Sequence, residues 1–244
     1  MIASKTIKTV LWVTLFAIAM AFLETSVVVY IRKLYYPEGF MFPLKLIAPD
    51  VALTEFLREA ATLLMLIGIG VIAGRNKIER FGYFIFTFAV WDIFYYIFLY
   101  ALLQWPSSLL TWDVLFLIPC TWVGPVLAPV INSLCMILLF FVILFSVEEK
   151  QHCNTGPLVW SLLVGGSLVM IGTYTEGYIN FMMQRFSFVQ IFDLSNFDAL
   201  MTYALTYVPR DFKWWLFAVG AIMHLSAIVL IWKKNSQKSL VRSP

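Results

Sequence analysis

Three features of the chain predict an all-α fold, a polytopic membrane helix bundle. Hydrophobic side chains make up 61% of its 244 residues and charged ones only 13%, against roughly 45–50% and 25% in a soluble domain. Six apolar runs reach the length of about 20 residues that a helix needs to cross about 30 Å of hydrocarbon. None of them alternates like a barrel strand, so helices, which satisfy their backbone groups internally, are the structures that suit lipid. The chain reads as one integral membrane domain, residues 1–244.

The first span covers residues 8–31. Two lysines followed by the small residues of FAIAMA also suit a cleavable signal peptide. The apolar run continues past Glu24, however, far enough to cross a bilayer, and it is read as a span. The others cover residues 51–73, 82–103, 121–147, 157–178 and 212–232. Aromatics such as Tyr30, Trp105, Trp122, Trp214, Trp215 and Trp232 gather near the ends, where amphipathic rings suit the headgroup zone.

With six spans, ten Lys and Arg residues fall on the side of the two termini and six on the other. The positive-inside rule then makes both termini cytoplasmic. The net charge is only +3 and the basic residues are scattered, which leaves no electrostatic footprint for nucleic acid. Cys120, Cys135 and Cys153 are an odd number without close pairing, and imply no disulfide framework.

The three outer connections are long. RKLYYPEGFMFPLKLIAPD is rich in aromatics and proline and is expected to fold along the interface. WPSSLLTWDVLFLIPCTW has too few residues between Pro106 and Pro119 to span, so a half-helix dipping into the outer leaflet is expected there. In DLSNFDALMTYALTY, Phe197, Leu200, Met201, Ala204 and Leu205 recur at helical spacing after Asp193 or Ser195 as a cap. That pattern predicts an amphipathic surface helix, either a lid or a plain cover over the bundle.

Ionisable residues inside a span must face protein or water, since each costs about 2.5–3.5 kcal/mol at the bilayer centre. They are Glu24, Glu55, Arg58, Glu59, Asp92, Glu176 and His224, with Asp113 in the half-helix. At about 1.5 Å per residue, Glu24 lies roughly 24 Å along its helix. It shares an outer slab with Glu55, Arg58, Glu59 and Glu176, while Asp92 and His224 fall near the midplane. Glu55, Arg58, Glu59 and Thr62 follow i, i+3, i+4, i+7, which is one polar stripe that must face inward.

On this assignment Arg58 is the only cation within a span. It can hold one or two carboxylates, which leaves at least one to take up a proton, a cation or water. Small residues flank Glu176 in the fifth span and His224 in the sixth, as close helix packing requires. Pro125, Pro129 and Asn132 share a side of the fourth, a pattern that suggests a broken helix lining a cavity. Trp91, Tyr95 and Tyr96 accompany Asp92, and either tyrosine can donate to its carboxylate.

The chain contains only two histidines, His152 and His224, and no HExxH, Gly-x-Ser-x-Gly or Walker motif. Histidine-box, zinc-protease, standard hydrolase and nucleotide-driven chemistry are thereby disfavoured. No cofactor or metal site is expected. The partners expected are the lipid bilayer and a small solute, cation or lipid headgroup, with no nucleic acid. Three functions stay open: a small transporter or channel using Glu59, Glu24 and Asp92; an outer-leaflet lipid-modifying enzyme with Arg58 holding a headgroup; or a structural subunit in which the charges hold helices together. Transport is ranked first.

Overall fold

The computed structural model describes residues 3–150, 153, 155–191 and 197–240. Among them, six helices are long and apolar enough to cross a membrane. These are α1 (Ser4–Tyr35), α2 (Pro49–Ala73), α3 (Lys77–Leu103), α4 (Leu127–Lys150), α5 (Pro157–Met182) and α8 (Trp214–Leu240). Two short helices, α6 (Phe188–Ile191) and α7 (Phe197–Ala204), lie between α5 and α8. The bundle expected from the hydrophobic runs is the one that forms.

Local chemistry sets the helix ends. Pro49 and Pro157 open α2 and α5, where the missing N–H would have had no partner. The Asn76 side chain caps α3 by accepting from Glu79 N–H at 3.0 Å. A longer ionic clasp ties three elements at that end of the bundle. Glu148 of α4 accepts from Thr6 Oγ1 at 2.8 Å and from Ala3 N–H at 3.1 Å, and Arg75 joins it to Glu79.

Helix α3 is the hub, packing on α1, α2 and α4, while α5 and α8 form a close pair that joins α4. Toward the Arg75 end the interior is apolar and dense. Val13, Ala17 and Met20 of α1 meet Tyr83, Phe86 and Val90 of α3, with Leu66, Phe140 and Leu144 beside them. The Phe86 and Phe140 rings stack at 4.3 Å. A second cluster of Ile85, Ile143, Leu163, Ile228 and Ile231 joins α3 and α4 to α5 and α8.

The α5–α8 seam depends on two glycines. A Cβ added to Gly166 would lie 2.7 Å from His224 Cδ2 and 3.0 Å from the Gly220 carbonyl oxygen; one on Gly220 would lie 2.9 Å from the Gly166 carbonyl oxygen. Backbone cannot yield as a flexible side chain can. Gly166→Val should therefore lower stability by about 1–3 kcal/mol, the usual cost of overpacking, read as a lower unfolding midpoint in detergent. An unchanged midpoint would mean that this seam tolerates separation.

The second outer connection corrects the sequence reading. The expected half-helix is instead an antiparallel hairpin of β1 (Trp112–Phe116) and β2 (Trp122–Pro125), with Asp113 opposite Gly124 and an irregularity between Val114 and Phe116. Aromatic and β-branched residues favour strands, and Pro119 cannot continue a helix. The fourth span consequently starts at Leu127, later than residue 121. Pro125 ends β2 and Pro129 sits in the first turn of α4, where proline is tolerated, so no broken helix forms there. Of the surface helix, α7 is present; the proposed caps Asp193 and Ser195 lie outside the described residues.

Candidate functional site

At the end opposite Arg75, α1, α2, α3, the hairpin and α7 surround a cavity of about 710 Å³. That volume suits a small organic ligand. The stripe of α2 faces it as the spacing requires, with Glu55, Arg58, Glu59 and Thr62 all on its wall. Across from them stands Glu24 of α1, and Trp91, Asp92, Tyr95 and Tyr96 of α3 contribute the side nearest the midplane. Much of the remaining wall is apolar, including Phe56, Phe116, Val123 and, from the α7 region, Leu200, Met201 and Leu205.

Arg58 is paired with two carboxylates. Its Nε donates to both oxygens of Glu55 at 3.1 Å and its Nη2 to Oε2 at 2.6 Å, while Nη1 pairs with Glu24. Glu24 also accepts from Thr62 Oγ1 at 3.3 Å. The guanidinium thus holds two carboxylates, while its buried Nη1 makes no hydrogen bond among the described residues.

Glu59 is held differently. The backbone N–H of Leu117, just past β1, donates to its two oxygens at 3.1 and 2.9 Å. Leu117 N–H has no ladder partner there, so Glu59 satisfies the end of the strand while keeping lone pairs unused. Among the described residues Glu59 has no ion pair, although it is 9% exposed. Asp92 likewise accepts from a neutral group, Ser133 Oγ, at 2.8 Å.

A second charged centre joins the hairpin to the bundle. Arg32 Nη2 donates to Asp113 Oδ1 at 2.9 Å, and Tyr96 Oη donates to Oδ2 at 3.3 Å. The Arg32 guanidinium carbon lies 3.8 Å from the Trp105 ring centroid and 4.4 Å from that of Phe40, positions suited to cation–π attraction. Nearby, burial pushes the Tyr36 phenol above its usual range. It stays neutral and accepts from Lys45 N–H at 2.8 Å.

The cavity therefore collects Glu24, Glu55, Arg58, Glu59, Asp92, Asp113, Tyr95 and Tyr96. Three other candidates lie off it. Glu176, expected in the same slab, instead pairs with Lys213 beyond the fifth span and accepts from Asn180 at 3.2 Å. His224 is 3.2 Å from Ser167 Oγ and 3.1 Å from the Leu163 carbonyl oxygen, within the α5–α8 seam. Asn132 of α4 is not on the cavity wall, and its buried Oδ1 has no hydrogen-bond partner among the described residues.

Arg32 lies one residue past the apolar run of residues 8–31, so the sequence alone places it among the cations of the outer side. Its helix extends to Tyr35 and buries Thr25, Val29 and Arg32 on one face. That i, i+4, i+7 continuation was the available signal. Arg58 is consequently not the only buried cation in the helices.

The six spans and their buried polar residues make this a multi-pass integral membrane protein. No family model matches the chain, and no curated protein or solved structure matches it.

Proposed function

We propose that the protein is a small carrier whose cavity opens to the outer side and takes up a protonated or cationic solute, with both termini cytoplasmic. The observation that carries this reading is the disposition of charge around Glu59. Arg58 is committed to Glu24 and Glu55, and Arg32 to Asp113, whereas Glu59 faces the cavity held only by a backbone N–H. A carboxyl in that state is suited to exchange a proton for a cation. The excess of Lys and Arg on the side of the termini supports the orientation.

A carrier fits better than a channel. Between Asp92 and the Arg75 end stands the packed layer of Tyr83, Phe86, Leu66 and Phe140, which offers no polar path, so passage requires a second arrangement of the helices. The lipid-modifying alternative uses Arg58 to hold an anionic headgroup, and its guanidinium already pairs with Glu24 and Glu55. In liposomes, wild type should carry out flux driven by a pH gradient and Glu59→Gln should abolish it. A wild type that moves no ion or solute across a broad panel, or a variant with wild-type flux, would overturn the proposal.

A further inference from the structure

Resting on that reading, we infer that the cavity's ligand is an organic monocation with an apolar body, seated with its charge at Glu59 and its body against the aromatic wall. The cavity is too large for a bare ion. Its volume of about 710 Å³ is within the 300–1,000 Å³ typical of sites for small organic molecules. Its chemistry separates into two parts. One part carries the charged stripe of α2, and much of the rest is built from rings and aliphatic chains, among them Trp91, Tyr95, Phe116 and Met201.

An inorganic divalent ion suits this arrangement poorly. A calcium ion takes about six to eight oxygen ligands, and among the described residues no three His, Cys, Asp or Glu side chains converge as a metal site requires. The nearest carboxylates to Glu59 already satisfy Arg58. Glu59 and Asp92 are the wall carboxylates without an ion pair among the described residues, and Glu59 beside aromatic faces matches a diffuse positive charge, because ring quadrupoles attract cations that shed water readily. An apolar body gains further from burial against Phe116 and Met201.

Charge of the opposite sign is disfavoured by the same geometry. The wall carries three cations, Arg32, Lys45 and Arg58, against five carboxylates, Glu24, Glu55, Glu59, Asp92 and Asp113, and both guanidinium groups are already paired with carboxylates. An anionic amphiphile would enter a wall whose carboxylates outnumber its cations by two. The favoured chemistry, an ammonium-type charge on an apolar body, occurs both in soluble amines and in lipid headgroups that carry an amine or choline.

The test is equilibrium binding of tetraphenylphosphonium to the full chain in nanodiscs, with triphenylphosphine oxide as the uncharged comparator and sodium and calcium as inorganic arms. Wild type should bind tetraphenylphosphonium, and Glu59→Gln should weaken it by about tenfold or more, the scale of a lost buried charge interaction. Ala204→Trp, which fills the cavity from α7 without altering the stripe, should weaken it too and serves if Glu59→Gln does not fold. Discs of phosphatidylglycerol alone are compared with discs containing phosphatidylethanolamine. Weaker binding in the second assigns the site to a lipid headgroup, and equal binding assigns it to a soluble amine.

Equal affinity for the uncharged comparator, wild-type affinity in Ala204→Trp, or binding of inorganic cations alone would overturn the inference. No gradient is involved. Cation binding without flux would therefore defeat the carrier reading alone, and flux of an uncharged solute without cation binding would defeat the ligand class alone.

Discussion

Replacing Arg58 by alanine should destabilise the protein by about 3–5 kcal/mol, the cost of stranding a buried charge. Two carboxylates lose their partner at once, because Glu55 receives the hydrogen bonds from Nε and Nη2 and Glu24 pairs with Nη1. Their side chains are only 13% and 11% exposed, so hydration replaces the guanidinium only in part. The loss should appear as a lower midpoint in a denaturing-detergent titration.

The combined variant Glu24→Gln, Glu55→Gln, Arg58→Met should recover most of the stability, since removing all the charges leaves none uncompensated. A change below about 1 kcal/mol in Arg58→Ala, the range of an exposed pair, would mean that the cluster is well hydrated.

Arg32→Ala should cost a similar amount, about 3–5 kcal/mol, through a different part of the molecule. Asp113 is 1% exposed and would keep Tyr96 Oη as its side-chain donor. The pair fastens β1 to α1, and the Phe40 and Trp105 rings close over it. Amide exchange in the hairpin should therefore accelerate more than in the α5–α8 seam. Uniform acceleration across the chain would indicate global unfolding and contradict a local fastening role.

Much of the site was legible in the sequence because a helix turns spacing into direction. Glu55, Arg58, Glu59 and Thr62 had to share one face, and that face proved to line the cavity. Depth alone was a weaker guide. It grouped Glu176 with the others by height, yet the side chain pairs with Lys213 off the cavity wall, since height says nothing about the direction in which a residue points. At the hairpin, length and apolarity favour a half-helix while residue type favours strands. WDVLF and WVG are aromatic and β-branched runs separated by Pro119, a pattern that favours strands. Its consequence could not be seen without the fold: Leu117 N–H comes to Glu59, fifty-eight positions away in sequence, and leaves that carboxylate outside the Arg58 pair.

The most direct test of a ligand-binding cavity at Glu59 is native mass spectrometry of protein extracted gently from membranes, comparing wild type with Glu59→Gln and Glu176→Gln. Both variants remove one carboxylate, but only Glu59 lies on the cavity wall. A small bound mass present in wild type and Glu176→Gln and absent from Glu59→Gln is the predicted result. The same mass retained in Glu59→Gln, or lost equally from both variants, would contradict the account.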